Sequence, residues 1–498
     1  MIGAELQQQL NQLDSKDKAY LKDALSLLAQ FDEGMLESPQ ALRASVNRLI
    51  AEIDRAVSEQ LSALIHHPEF TQLESSWRGV ETLVSLPVNY QKIKVKLLDL
   101  SWDGLSYELN TAVSLKRTSL YNLIGNRELN TSGGQPYGMI VVDHKVSMNF
   151  ETDFDDLYTL ELLAQMGDLC LCPFITSPAD DFFGESGADW LSDTARVNKI
   201  LEGPEFISWQ RLRSLSISRF IGLTLPNVCL RRPYSNHSAR QVVFTEYQDA
   251  NSNVSGPSAS GASVSGQGMS GQGGAVQGLL GNSAFLFASI AIREFNRINW
   301  FGFMKSRWQD KYCGSLVNLP TSGSGTTATH QPSPDIRFIT EMGGFYADSG
   351  FIPLCHSLTT DKYFFRGNAS IWNHGKDDAE AVMGQIQTTL MICRIAHYLK
   401  VQIRGMMGNF QTAQECENFL NGWLDKYASN LSDADETTLA KYPLSKGRVE
   451  VREIEGQLGR YTCDVLVQPQ YQFDNACGEV LISTDLGIEA SGQAVGGA

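Results

Sequence analysis

Apolar positions along the first part of the chain fall at helical spacing. Ser38 and Pro39 form an N-cap followed by proline at the first helical position, and Leu42, Val46, Leu49, Ile53, Val57 and Leu64 then mark one face of a long amphipathic helix. Upstream, Leu21, Leu25 and Leu28 form a shorter stripe, with Gly34 placed to cap a first helix. This section cannot bury both stripes by itself. From Trp77 to Val228 strand-like and helix-like runs alternate: Ile93 to Leu98, a helical stretch over Leu105 to Leu123, YGMIVVD, DDLYTLELLAQMG, LCLCPFIT, and Phe220 to Leu225 stopped by Pro226. Such alternation predicts an α/β layer with crossover helices. The run AFLFASIAIREFNRINWFGF reads as a buried helix, and Asp377 to Met407 and Gln411 to Tyr427 as two more. The period then changes to two. Val449 and Val451, then Tyr461, Cys463, Val465 and Val467 across a turn at Gln457 to Gly459, predict a hairpin with one buried face. A last strand-like run, Glu479 to Ser483, precedes the tail EASGQAVGGA.

Two segments lack the apolar content to offset their ordering entropy. Asp249 to Gly278 is dominated by glycine, serine, alanine and glutamine, and Thr321 to Pro334 is a shorter stretch of the same kind; both are expected to be surface loops. The expected division is an N-terminal helical region 1–60, a body 61–373 carrying the loop 249–278, a C-terminal domain 374–488 and a tail 489–498. The fold class is α/β with mixed α+β character: N-terminal helices, an α/β body and a β-rich C-terminal region.

Composition removes several function classes. The 498 residues are 42% hydrophobic and 19% charged, an ordinary globular balance. With 40 lysines and arginines against 56 aspartates and glutamates, the net charge is −16, which disfavours nucleic acid as a partner. No run reaches the roughly 18 to 20 apolar residues of a membrane helix. No leader pattern is visible at the N-terminus, so membrane insertion is not expected and the cytoplasm is the expected compartment. The 9 cysteines have no repeating spacing, which suits reduced thiols.

The candidate motifs weaken on inspection. Gly266, Gly268 and Gly271 match G-x-G-x-x-G, but no strand precedes them to aim a helix N-terminus at a pyrophosphate. SGSGTT at Ser322 to Thr327 lacks the lysine of a phosphate loop. Cys170 and Cys172 are spaced as alternate strand residues and read as buried thiols, with no second pair to complete a zinc site. His66 and His67 close the long helix, where the dipole favours positive charge. His356, His374 and His397 are dispersed through the C-terminal half, and nothing in their spacing selects a catalytic triad. Glu151, Asp153, Asp155 and Asp156 read as N-terminal capping groups of a helix. No catalytic, cofactor-binding or metal-binding residue is assigned.

Longer segments carry more information. IAEIDRAVSEQLSALIHHPEFTQLESSWRGVETLV at Ile50 to Val84 resembles the large sheath subunit of type VI secretion systems, the TssC or VipB type, through His66, His67, Pro68, Glu69, Phe70, Leu73, Glu74, Trp77, Arg78 and Gly79. Matches follow in order. They are TSGGQPYGMIVVDHKVS (Thr131 to Ser147), SRFIGLTLPNVCLRRPY (Ser218 to Tyr234, with Arg219, Gly222, Leu223, Pro226, Arg232, Pro233 and Tyr234) and LLGNSAFLFASIAIREFNRINW (Leu279 to Trp300). Further along come SGFIPLCHSLTTDKYFFRGNAS (Ser349 to Ser370), RIAHYLKVQIRGMMGNF (Arg394 to Phe410), FLNGWL (Phe419 to Leu424) and YPLSKGRVEVREI (Tyr442 to Ile454). The resemblance covers most of residues 50 to 485.

It implies a structural protein rather than an enzyme, with a contractile tail-sheath body. The implied partners are the small sheath subunit of the TssB or VipA type, further copies in a helical sheath, the inner tube protein, the baseplate, and a ClpV-type AAA+ ATPase that recycles contracted sheath. It also implies strands exchanged between neighbours, for which Glu479, Val480, Leu481, Ile482 and Ser483 are the expected segment. Leu21, Leu25 and Leu28 are the expected grip for the ATPase. The chain departs from the family in its first 40 residues, in the length of 249–278 and in Thr321 to Gly344. Two alternatives stay open on the residues alone: an α/β enzyme with a glycine-rich lid, and a specialised sheath paralogue at the tail end.

Overall fold

The computed structural model describes residues 7, 8, 11, 15–28, 30, 33–148, 154–185, 187–234, 237–239, 242–246, 278–302, 304, 315–317, 334–358, 362–375, 378–406, 413–429, 441–453, 461–469 and 480–485. The segments 249–277 and 321–333, expected as loops, lie outside the described residues, as do Glu151, Asp153 and the turn 457–459.

A six-stranded sheet organises the body. Its strands are β1 (Ile140–Val146), β2 (Phe174–Pro178), β3 (Ile221–Leu225), β8 (Leu316–Val317), β9 (Ile352–Ser357) and β10 (Lys362–Phe365), in the order β1-β2-β3-β9-β10-β8. The first four in that order are parallel; β10 runs antiparallel to β9, and β8 antiparallel to β10. Every residue of β2, β3 and β9 is buried, as parallel strands covered on both faces require. Gly222 leaves room at the centre of β3: a Cβ there would sit 2.8 Å from Ile175 Cδ1 and 3.0 Å from Ile352 Cδ1, so both methyls would have to shift. Two small ribbons lie outside this sheet: β4 (Val228–Arg231) with β7 (Leu279–Gly281), and β5 (His237–Ala239) with β6 (Val242–Phe244).

The principal helices up to the C-terminal region are α1 (Ser15–Leu28), α2 (Pro39–Ile65), α3 (Pro68–Val84), α4 (Trp102–Thr111), α5 (Asp156–Cys170), α6 (Thr194–Leu201), α7 (Ile207–Ser214), α8 (Ala284–Ile298), α9 (Thr340–Asp348) and α10 (Asp378–Met383). α4, α5, α7 and α9 fill one face of the sheet around Phe182, Trp209, Tyr346 and Phe351. α5 alone buries Leu157, Leu160, Leu162, Leu163 and Met166, each stabilising the fold by about 1.5–3 kcal/mol. The opposite face is covered by α8, whose Leu286, Phe287 and Ile290 meet Ile175, Ile352 and Phe365.

The C-terminal region forms a second core. α11 (Ile386–Met406), α12 (Ala413–Leu424), β11 (Leu444–Glu453), β12 (Tyr461–Pro469) and β13 (Val480–Asp485) make it up, with the antiparallel order β11-β12-β13. Val449, Val451, Cys463, Val465 and Val467 point into this core, as the period-two reading predicts. α11 serves both cores: Ile386 and Leu390 pack under the large sheet, and Ile395 and Leu399 pack on the hairpin.

Several local expectations are corrected. Residues 93–98 form no strand and have no sheet partner among the described residues; Lys94 and Lys96 are tied to Gln135 and Glu128 through side chains. The helix expected over Leu105 to Leu123 ends at Thr111, and helical turns resume at 115–117 and run into a π-helix, Asn122–Asn130. The first helix ends at Leu28, short of Gly34, and 377–407 divides into α10 and α11 at Gly384. Cys170 and Cys172 are not alternate strand residues: Cys170 ends α5, Leu171 is left-handed at φ 53°, and β2 begins at Phe174. Both thiols are buried, and burial pushes Cys170 up to about 12. Asp155 caps α5 by accepting from Leu157 N at 2.9 Å. Asp156 does something else, accepting from Trp102 Nε1 at 2.6 Å and Ser147 N at 2.9 Å and pairing with His144 Nε2 at 3.0 Å.

Candidate assembly surfaces

The elbow between α2 and α3 has its apolar residues on the outside. α2 starts as its cap residues dictate, with Ser38 Oγ accepting from Ala41 N at 3.1 Å and Pro39 at N1. The side it buries is not the leucine stripe but Ser45, Ser58 and Ser62. Ser58 Oγ donates to Val243 O at 3.4 Å and accepts from Thr245 N at 3.4 Å, so small hydroxyls let the helix lie close against β6. Of the apolar stripe, Leu42, Val46, Leu49 and Val57 are half-buried, whereas Ile53 and Leu64 face outward, 60% and 58% exposed beside Ile50 and Leu61. α3 repeats the arrangement. Phe70, Leu73, Trp77 and Val84 fall at i, i+3, i+7 and i+14, one helical face, and Leu73 and Trp77 are 56% and 60% exposed. Unpartnered apolar surface of this extent, carried on two consecutive helices, marks a contact surface.

The opposite side of α3 is bound tightly to the body. A Cβ at Gly79 would lie 2.4 Å from the Phe285 ring, so only glycine allows α3 to pack on α8 at this distance. Next to it is a buried charge network. Arg231, 3% exposed at the end of β4, donates from Nε to Glu74 Oε1 at 2.7 Å and from Nη1 to Glu246 Oε2 at 2.8 Å, with its guanidinium 4.5 Å from the centre of the Tyr234 ring. Glu246 also accepts from Tyr234 N at 2.9 Å and pairs with His66 Nε2 at 2.8 Å, while Arg78 Nε lies 3.6 Å from Glu74. Burial raises the Glu246 carboxyl, but Arg231, the Tyr234 amide and His66 together outweigh it and hold the group below the ordinary glutamate range. One arginine thus joins α3, β4 and the segment after β6, and His66 adds the C-cap of α2.

The family-pattern residues therefore separate into two sets. Phe70, Leu73 and Trp77 face out, whereas Glu74, Arg78 and Gly79 fasten α3 inward. Gly222, Leu223 and Pro226 belong to the central sheet and its exit, and Arg219 pairs with Asp168 at 3.5 Å. Arg232, Pro233 and Tyr234 are half-buried, Tyr234 against the network. The hub, Arg231, and its partner Glu246 were missed. The available signal was an arginine directly continuing the apolar run Val228 to Leu230, since a charge buried there requires a counter-charge. Of the N-terminal stripe, Leu25 is buried and Leu21 exposed; the Leu28 side chain lies outside the described residues.

The second surface is the C-terminal sheet. β13 pairs within its own chain, Val467↔Val480 through Thr462↔Asp485, and its far edge has no strand partner among the described residues. Glu479 lies outside the described residues. At the carboxyl ends of β2 and β3, where open parallel sheets commonly bind ligands, the partly open cavity lined by Pro178, Asp180, Phe183, Thr224, Asn227 and Asp335 has a volume of about 30 Å³, on the scale of waters. Among the described residues there is no cluster of three or more His, Cys, Asp or Glu suited to a metal, and no helix long and apolar enough to cross a membrane.

Two family models match the chain consecutively. The VipB model, the EvpB tail sheath N-terminal domain, matches residues 47–372, and the EvpB tail sheath gpW/gp25-like domain matches residues 376–486. The type VI secretion system sheath protein TssC1 of Pseudomonas aeruginosa is 27% identical over 471 residues, covering 91% of this chain and 88% of that protein. A solved structure, the sheath tail protein Lin1278 from Listeria innocua, aligns with 66% of this chain and 60% of that chain at 8% identity and a TM-score of 0.30, too loose a likeness to carry an argument.

Proposed function

The chain belongs to the VipB (EvpB) tail-sheath family, and on that premise we propose that it is the large structural subunit of a type VI secretion contractile sheath. The observation that carries this reading is the consecutive match to both sheath models, over nearly the whole of residues 47–486. Its role is mechanical. It pairs with the small sheath subunit, the pairs stack in the cytoplasm as a helical tubule around an inner tube on a baseplate, and contraction of the tubule propels the tube. No nucleotide has a part in this step: the energy is held in the extended lattice, a bistable assembly whose two packings differ in free energy.

The outward apolar face of α2 and α3 supports a division of labour. Ile50, Ile53, Leu64, Leu73 and Trp77 receive the small subunit, while Arg231 and Gly79 hold the elbow in position to do so. The domain division at residue 373 belongs to the same proposal, with 374–488 making the contacts between neighbours through the segment 479–483. An identical strand from a second copy satisfies β12 in the register that β13 already uses, which is the low-cost route to strand exchange. The grip of a ClpV-type ATPase on Leu21, Leu25 and Leu28 requires α1 to leave its packing first, since Leu25 is buried. ATPase binding that survives Leu25→Asp removes that part.

The test is electron microscopy of the full chain co-expressed with its small-subunit partner. Striated hollow tubules are expected from the native chain. Leu73→Asp/Trp77→Asp should leave the chain folded by circular dichroism and abolish the tubules, because both side chains already face solvent in the free subunit. Soluble compact particles from the native pair would overturn the reading, and tubules from the double variant would remove α3 from the subunit contact.

A further inference from the structure

β11 has two edges, and they are not equivalent. One is paired with β12 from Leu444 to Glu453. Along the other lies α12, running in the opposite direction and supplying polar groups to the strand backbone. Asn421 Nδ2 donates to Val449 O at 2.9 Å, and its Oδ1 accepts from Val449 N at 2.8 Å. One helical turn earlier, Glu417 Oε2 accepts from Val451 N at 3.3 Å. Beyond the other end of the helix, Ser429 N donates to Leu444 O at 2.9 Å.

The two periods explain why this works. A helix advances about 6 Å in four residues, and a strand about 6.7 Å in two, so side chains at i and i+4 of an antiparallel helix stay in step with alternate strand residues. Bonds to both the N–H and the C=O of one residue are what an antiparallel neighbour strand provides, and the carboxamide of Asn421 reproduces them. Its orientation is fixed by the contacts themselves, since Val449 N needs an acceptor and Val449 O a donor. Gly447 permits the close approach: a Cβ there would lie 2.5 Å from Leu424 Cδ2.

We propose that Asn421 and Glu417 are specificity-determining residues of sheath assembly, because they occupy the β11 edge and leave the C-terminal sheet open to extension only from the β12 and β13 side. The occupant of that side is the Val480–Asp485 strand of a second copy, whose fit to β12 is established by six register pairs made by the chain's own copy. This rests on the strand-exchange reading above. Unsatisfied backbone groups along an edge recruit other strands. A sheet with two open edges would accept neighbours on both and lose its unique lattice.

Disulfide trapping in the full chain assembled with the small subunit tests this. Arg448→Cys places a reporter thiol on the exposed side of β11, next to the closed edge. With the native Asn421 and Glu417 it should give no chain-to-chain disulfide; with Asn421→Asp/Glu417→Gln it should give at least fivefold more. The aspartate keeps the volume of asparagine and the acceptor for Val449 N, but sets an anionic oxygen against Val449 O, so packing through Leu420, Trp423 and Leu424 persists. Should that pair fail to fold, Glu417→Leu alone, which takes away the acceptor of Val451 N, gives a smaller increase in the same direction. Equal trapping with and without the substitutions overturns the proposal, whether the level is high or nil. Asp464→Cys/Ser483→Cys, at register partners of β12 and β13, reads the exchange separately. Disulfides between chains support it. Disulfides only within chains remove the exchange, and the proposal with it, while the Arg448 reporter still reports whether the β11 edge is closed.

Discussion

Replacing Arg231 by methionine should cost the elbow about 3 kcal/mol, and the structure says where the loss will appear. The guanidinium is 3% exposed and neutralises Glu74 and Glu246 at 2.7 and 2.8 Å, and the Glu246 side chain is 1% exposed. Breaking a buried pair by removing one partner typically costs about 3–5 kcal/mol, because the other charge stays buried without compensation. The lower end applies here, since Glu246 keeps the Tyr234 amide and His66, and Glu74 keeps Arg78. Methionine retains most of the apolar volume, so little of the cost is cavity. Adding Glu246→Gln to Arg231→Met should return about 1–2 kcal/mol, as it removes the stranded charge and leaves a coupling of ordinary size for directly bonded residues. The assay is hydrogen exchange on peptides from α2–α3 and from 228–246, compared with peptides from β11 and β12. Faster exchange confined to the first group, partly reversed in the double variant, is expected. A loss under about 1 kcal/mol, an effect spread evenly over both cores, or a double variant no better than the single would refute the assignment of Arg231 as the fastening between elbow and body.

Two further outcomes arise from buried groups. His397, on α11, has its pKa lowered to about 4, first by burial and then by Lys400 and Arg394 against the opposing carbonyls of Cys170 and Leu171. The folded state thus binds the proton more weakly than the unfolded chain, so stability is complete above the unfolded value near 6.5 and falls as the pH drops towards 4, by up to about 3 kcal/mol. Urea midpoints measured across that window should slope accordingly, and His397→Leu should flatten the slope; an unchanged slope contradicts it. Gly79→Ala should lower the melting temperature by several degrees, because α3 must move off the Phe285 ring; a melt within one degree of the native chain would show that the ring turns aside at little cost.

The periodic parts of the fold were readable from the chain itself. The Ser38–Pro39 start of α2, the run at 284–298 and the alternating valines of β11 and β12 each carry one signal with one solution. Where several solutions compete, tertiary context decided. Residues 93–98 have a strand's composition but form no strand, because a strand exists only with a neighbour, and Lys94 and Lys96 are held by side chains instead. Cys170 and Cys172 straddle a left-handed residue at the end of α5, a backbone reversal that spacing does not reveal. The orientation of α2 was the hardest to anticipate. Its leucine and isoleucine stripe obeys the usual inward rule by period, yet its members are half-buried or, at Ile53 and Leu64, exposed, while Ser58 is fully buried because β6 supplies backbone groups for it. Arg231 was overlooked in favour of Arg232 for a related reason: the pair is equivalent by composition, and only the point at which β4 ends separates Arg231, the last residue of a strand buried throughout, from the half-buried Arg232.

α11 has one more consequence. Its first two turns are wedged beneath the large sheet and its later turns beneath the hairpin, with no break in the helix between them. Neither core can melt without unseating half of a helix that the other needs. The two should lose structure in a single cooperative step, and a pull on the hairpin reaches the large sheet along hydrogen bonds aligned with the helix axis rather than through a slack connection. A subunit that must carry load from neighbour to neighbour thereby has a stiff strut where a linker would have absorbed the stroke.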